Sequence, residues 1–340
     1  MTSILDKIFI LTIISFGMIV PWSYNHTKKF NKAVDKAIFT KKCSPFTQLL
    51  AYWNGKIPKV GSWEIYAQVK YVKSKKWSDP ILLMCWKKNK NCSYLQCSKD
   101  RNSKNYHVRF ELENQQLADA FKITIVPKDK ADISSLKLIG ATTCNLEKFK
   151  KSKIIEHQKF KSTQNILKLP KISQLATEHK DAIRICSPTS LTMALNYLSN
   201  NKINPHNTAD QVYDNCLDAY GAWQYNVGYA SDVLHEKYYV HLKRLKSFQE
   251  IINDINKKLP VIVSVRGDIK GAAKSYNNGH LIVVVGYDAK TKKVICHDPA
   301  WPDDEMVHQA YPLTDFLRAW EKSHHLAYCF EKKINLGVEK

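Results

Sequence analysis

Between Glu64 and Tyr71 the chain alternates strictly: Ile65, Ala67, Val69 and Tyr71 are interleaved with Glu64, Tyr66, Gln68 and Lys70. Successive side chains of a strand point to opposite faces, so this pattern describes a strand with one buried face and cannot serve an amphipathic helix. Val108, Phe110 and Leu112 repeat it, as do Phe121, Ile123 and Ile125. Short strands broken by turn residues predict an all-β sandwich over residues 44–146. Trp53, Trp63, Trp77 and Trp86 fall in this stretch, where they suit core packing better than a ligand platform. No nucleophile, base and acid cluster within it, so the first half supplies fold rather than chemistry. With 340 residues, the chain is long enough for two domains.

Residues 147–167 are polar and lysine-rich, and read as a linker. From 168 to 332 helical and strand patterns mix, which predicts an α+β domain. Within it Cys186 opens the run CSPTSLTMALNYL. Pro188 fits the first turn of a helix, and Leu191, Ala194, Leu195 and Leu198 recur at helical spacing. Cys186 is thereby placed at a helix N-terminus, where free N–H groups favour a thiolate. A cysteine before a helix is by itself more often structural.

His280 and Asp298 supply what a nucleophilic thiol needs. The runs GHLIVVVGYD and VICHDPA read as two strands joined by a polar turn at 288–293. An antiparallel hairpin centred near residue 289 would pair Val284 with Val294, Ile282 with Cys296 and His280 with Asp298. Directly opposed side chains have Cβ atoms about 4.5–5.5 Å apart. Asp298 could then hold one imidazole nitrogen while the other takes the proton of Cys186. Gln174, twelve residues before Cys186, offers an amide donor for an oxyanion.

The segment from about 168 to 330 resembles the peptidase family 39-like cysteine peptidases, papain-like enzymes related to bacteriocin-processing, double-glycine leader peptidases. The resemblance rests on ISQL around Gln174, CSPTSLTMALNYL, YGAWQYNVGYAS, GHLIVVVGYD, HDPAW and YPLTDFLRAW. It implies a papain-like α+β fold with Cys186 as nucleophile, His280 as base, Asp298 as its orienter and Gln174 as oxyanion donor. It also implies that Trp223 and Asn226 line the cleft, with Gly279 beside the histidine contributing to substrate binding. Ser187 departs from the glycine that many members carry after the cysteine. Residues 44–146 look like the β-sandwich found ahead of this domain in some bacterial members. The implied activity is hydrolysis of peptide or protein substrates through a thioester acyl-enzyme, with no metal or organic cofactor. An acyl transferase of transglutaminase or transpeptidase type would use the same triad. A catalytically idle envelope-binding protein is the alternative outside enzymes.

Ile8 to Val20 is an apolar run of thirteen residues following Lys7, shorter than the about 20 that a spanning helix needs. It reads as a signal-peptide core or N-terminal anchor over residues 1–23, which predicts export to the periplasm, envelope or medium. Nine cysteines suit an oxidising compartment, and their pairing is not legible. Cys92 and Cys97 lack a second Cys/His pair at zinc spacing. Hydrophobic residues at 44% and charged residues at 24% exclude wholesale disorder. The 52 Lys and Arg against 31 Asp and Glu give +21, mostly scattered lysine. No recognition helix or aromatic-basic motif accompanies that charge, so no nucleic-acid partner is expected. An anionic envelope polymer is a possible partner, and no multi-span membrane domain is expected.

Overall fold

The computed structural model describes residues 21–30, 34–149, 160–235 and 237–334. The apolar run that carries the export expectation lies outside the described residues, as does 150–159 of the basic stretch. The fold is mixed α/β with antiparallel sheets, and the described residues form five α-helices.

Residues 23–144 form β1 (Ser23–Lys29), β2 (Ala37–Phe46), β3 (Gln48–Asn54), β4 (Ser62–Tyr71), β5 (Ile81–Trp86), β6 (Cys92–Ser93), β7 (Gln96–Cys97), β8 (Ser103–Tyr106), β9 (Arg109–Leu112), β10 (Ala118–Lys128) and β11 (Leu138–Cys144). They make one sheet in the order β1-β11-β3-β9-β8-β7 and another in the order β2-β10-β4-β5-β6. Residues of both sheets share one apolar core. The alternation read from sequence is realised in β4, where Ile65, Ala67, Val69 and Tyr71 are buried and Glu64, Tyr66, Gln68 and Lys70 are half-buried. Three of the four tryptophans lie in that core: Trp86 packs edge-on against both Trp53 and Trp63, with ring centroids 5.3 and 5.1 Å apart. Strands β3 and β11 are buried along their whole length, so alternation fails there. Their second face is covered by the other half of the chain, and a strand covered on both faces has no solvent side to mark.

That other half comprises α1 (Cys186–Ser199), α2 (Pro205–Val212), α3 (Trp223–Val233), β12 (Tyr238–Arg244), α4 (Phe248–Asn256), β13 (Val261–Gly267), β14 (Tyr276–Asp288), β15 (Lys293–His297), β16 (His308–Pro312), α5 (Leu313–Glu321) and β17 (Leu326–Lys332). The strands form a single antiparallel sheet, β12-β17-β13-β14-β15-β16. Helix α4 buries Phe248, Ile251, Ile252 and Ile255, a stripe at i, i+3, i+4 and i+7. Helix α1 is buried on nearly every side and ends where Asn200 takes a left-handed conformation, φ 58°. Residues 160–169 run extended beside β14, with Thr163 and Leu167 N–H groups donating to Tyr287 and Val285 carbonyls.

β12 is an edge strand, and an exposed edge invites wrong pairing. Here side chains of the first half cover it. Asn54 uses its carboxamide as a backbone mimic, donating to Val240 O and accepting from Val240 N–H, each at 2.7 Å. Thr142 Oγ1 donates to Leu242 O at 2.6 Å and Ser23 Oγ to Arg244 O at 3.1 Å. Leu50, Tyr52 and Leu138 join the core of the second half, so the two halves share apolar packing as well.

A disulfide between Cys92 and Cys216 closes the joint at its far end. A loop of this length is worth up to about 4–5 kcal/mol in the unfolded chain by the entropy model. The hydrogen bonds around it, Ser93 N–H to Asp214 and the Asn91 carboxamide to Gln211 O, already hold the two segments together. Cys92→Ser should therefore destabilise by about 2–4 kcal/mol and lower Tm by several degrees under non-reducing conditions. An unchanged Tm would mean that packing alone secures the joint.

Candidate active site

Cys186 is the first residue of α1, and the residue before it, Ile185, offers no capping side chain. The helix therefore begins with unsatisfied N–H groups around a half-buried thiol. Backbone N–H groups of Ser187 and Leu281 adjoin its sulfur and favour the thiolate. Ser187, where glycine is common in the resembled family, is held by two neighbours: its hydroxyl donates to Asn226 Oδ1 at 2.9 Å and lies 3.1 Å from the Tyr328 hydroxyl.

His280 follows Gly279 on β14. Gly279 has φ +90°, a conformation that a side chain would strain. His280 Nε2–H donates to Asp298 Oδ1 at 2.7 Å, which leaves Nδ1 for the Cys186 sulfur it also contacts. Asp298 is fully buried and accepts four hydrogen bonds. Oδ1 takes the second of these from Ala300 N–H at 3.0 Å, and Oδ2 takes the hydroxyls of Tyr276 and Tyr311 at 2.5 and 2.6 Å. The Tyr276 ring also stacks on the imidazole, centroids 4.1 Å apart. The histidine is thus fixed in plane by the ring and in rotation by the carboxylate.

The hairpin register differs from the sequence expectation. Val284 pairs with Cys296 and Tyr287 with Val294, with an irregularity between Val284 and Gly286. Neither Val284–Val294 nor Ile282–Cys296 is a pair, and Asp298 lies past the end of the ladder. The extra residue of the irregularity moves the register, as a β-bulge does. Asp298 meets His280 by leaving the sheet: its N–H donates to Val307 O at 2.9 Å and its side chain turns back to cap Ala300.

The electrostatics follow from this packing. Burial alone would push the Cys186 thiol up, but the adjoining His280 imidazolium and the two N–H donors outweigh it and hold the thiol below its ordinary value. Burial works against the imidazolium too; Asp298 and the sulfur overcome it, and His280 is pushed up to about 9. For Asp298 burial is again the largest opposing influence, overcome by His280 and the two tyrosine hydroxyls, so it stays below the usual carboxylate range. The balance favours a thiolate–imidazolium pair with a buried counter-charge.

A cleft of about 210 Å³ opens beside the pair, and Trp223, Gly279 and Leu281 are among its walls. Asn226 is not. It is fully buried, donating to Tyr220 O and Ala222 O while accepting from Ser187, so its place is beneath the cleft and not in it. Gln174 is buried between the segments that carry the other groups. Its N–H donates to Pro299 O, next to Asp298, and its Nε2 donates to Ala182 O, just ahead of Cys186, at 2.8 Å. One amide hydrogen of Nε2 is spent on that carbonyl. Among the described residues no cluster of three or more His, Cys, Asp or Glu is arranged to hold a metal ion. Tyr276 and Tyr311 were missed from sequence. Tyr276 was within reach, since it sits four residues before His280 and a strand returns to the same face at that spacing.

Residues 166–328 match the Peptidase_C39 like family. This stretch is a C39-like, papain-like domain. The match to that family suggests a cysteine peptidase. A solved structure from Bacillus anthracis, provisionally named a C39-like peptidase, aligns over 49% of this chain and 98% of its own at 18% identity, with a TM-score of 0.38. No curated protein matches the chain. In the C39-like domain Cys186, at the N-terminus of α1, adjoins His280 on β14, and His280 is hydrogen-bonded to Asp298 in the loop after β15.

Proposed function

We propose that this chain hydrolyses peptide bonds, with Cys186 as nucleophile, His280 as acid and base, and Asp298 as the group that orients and charges the histidine. The observation that carries it is the buried Asp298–His280–Cys186 chain at the mouth of a cleft. The thiolate attacks the amide carbonyl, and the oxyanion is stabilised by the Cys186 N–H with the second hydrogen of Gln174 Nε2. The imidazolium protonates the departing amine as the carbon–nitrogen bond breaks. The neutral imidazole then takes a proton from water, whose oxygen displaces the sulfur and restores the pair.

We also propose export, supported by the apolar run near the N-terminus and by the Cys92–Cys216 disulfide, which is at home in an oxidising compartment. In this reading residues 23–144 are a β-sandwich that braces the edge of the peptidase sheet and closes one side of the cleft.

The test is a mixture of quenched fluorescent peptides of random sequence, incubated with the full chain and with Cys186→Ala. Hydrolysis by the wild type that disappears in the variant is expected. Equal hydrolysis by both would remove Cys186 from the chemistry. Addition of a primary amine during turnover would divert product to the amide if acyl transfer were the true reaction.

A further inference from the structure

The chain has six arginines, Arg101, Arg109, Arg184, Arg244, Arg266 and Arg318, among 52 basic residues. Three of the six, Arg109, Arg244 and Arg266, line the cleft that holds Cys186 and His280, together with Lys322; among the described residues no Asp or Glu lines it. In a sequence that otherwise supplies its charge as lysine, arginine is gathered around the cleft that holds the reacting sulfur. The planar, two-pronged guanidinium matches a carboxylate in a way an ammonium does not.

The cations are poorly neutralised. Arg244 is only 5% exposed, and its hydrogen bonds go to uncharged acceptors: Gln48 Oε1 accepts two of its N–H groups at 2.8 and 3.1 Å, and the Ser323 and His324 carbonyls accept others at 2.8 and 2.9 Å, with Glu111 acting on it only through its charge. Burying a cation without an acid in direct contact is costly, and Arg244 carries its positive charge in the wall of the cleft. Glu111 pairs with Arg109 at 3.0 Å and accepts from Gln48 Nε2 at 3.1 Å, so one carboxylate serves the neighbourhood of two arginines. Arg266 and Lys322 are exposed, with no carboxylate within ion-pair distance among the described residues. They converge at one end of β13 and β14. Arg266 Nη2 lies 4.0 Å from where a Cβ on Gly279 would stand, and Lys322 Nζ occupies the space that a side chain on Gly267 would fill.

We infer that the cleft selects a carboxylate of the peptide substrate, from an Asp or Glu side chain or a free C-terminus, gripped by Arg266 and Lys322 in the field of Arg244. The inference rests on the peptidase reading above. At about 210 Å³ the cleft is smaller than the ~300–1,000 Å³ typical of sites for whole small ligands, and suits one acidic side chain or chain end. Arg109, on β9, and Gln48, on β3, make the selection a joint property of both halves of the chain.

The test compares iodoacetate with iodoacetamide, which carry the same leaving group on a charged and a neutral body, by mapping adducts on the full chain. The iodoacetate-to-iodoacetamide rate ratio at Cys186 should exceed that at the exposed Cys97 by about tenfold at low salt. It should fall about threefold or more in Arg266→Gln and in Lys322→Gln, and with added salt. Both residues are exposed, so folding is spared. Peptide pairs differing by Glu or Gln at one position, or by a free or amidated C-terminus, then tell the two carboxylates apart; a preference for the acid, lost in the variants, is expected. A ratio unmoved by both variants overturns the inference. So does hydrolysis without any acid preference, including the case where long polyanions alone compete, and the peptidase reading then stands. A reactive Cys186 with no peptide of any pair hydrolysed overturns the peptidase reading, and the inference with it.

Discussion

Replacing His280 with Ala should slow alkylation of Cys186 at pH 6.5 by about ten- to a hundredfold and peptide hydrolysis by about a thousandfold or more. The reasoning turns on which influence dominates the sulfur. Burial is the largest single influence on Cys186 and acts upward; His280 is what reverses the sign. Without the imidazolium the thiol moves above the ordinary cysteine value of about 8.5, and at pH 6.5 its thiolate falls to under about 1%. A more basic thiolate is intrinsically more nucleophilic, which recovers part of the loss and sets the lower end of the range. Hydrolysis suffers more because the departing amine also loses its acid. Measured alkylation rates for the two proteins within twofold of each other would show that the sulfur does not depend on the histidine.

Asp298→Asn should cut turnover by about a hundred- to ten-thousandfold and also destabilise the fold by about 2–4 kcal/mol. Asp298 is the largest influence raising His280, so the neutral amide lets burial draw the imidazole down and the ion pair weakens. The stability cost arises because the carboxylate accepts from four donors inside the protein, and an amide presents two hydrogens of its own to that same ring of donors. This cost depends on pH in a stated direction. His280 is raised in the folded state, so the stability drawn from its pairing with Asp298 is fully present below about 6.5 and is lost as pH rises through about 9. The gap in stability between wild type and Asp298→Asn should accordingly narrow across that interval in denaturant titrations. A gap that widens with pH would reverse the protonation assignment.

What was legible in the sequence was local. Alternation marked β4 because that strand buries one face, whereas the helical spacing in α1 survives only in residue type, since its polar positions Thr189, Ser190 and Thr192 are buried as well. Cys186, His280 and Asp298 were identified from short runs and do meet, yet the pairing that led to the last two was two to three residues off. The bulge near Val285 is invisible as a pattern, because every residue around it is buried and apolar. Asn226 was placed in the cleft on the strength of its motif, while its carboxamide is needed underneath, tying the 220–222 loop to Ser187. The groups that complete the site come from distant positions: Tyr311 through the β15–β16 pairing, and Arg109 and Gln48 from the first half. No local pattern records contacts made across two hundred residues. The same holds for the edge of β12, whose covering by Asn54 and Thr142 is a matter of docking.

The most direct measurement of the thiolate–imidazolium pair is the rate of Cys186 carbamidomethylation by iodoacetamide from pH 5 to 10, with the exposed Cys97 as the internal standard. The expected profile keeps Cys186 fast well below about 8.5, where the ordinary thiol fades, while hydrolysis declines as pH rises through about 9 and the imidazolium is lost. A single rise for Cys186 at or above the midpoint of Cys97 would mean that burial governs the sulfur, and would contradict the pair on which the proposed chemistry depends.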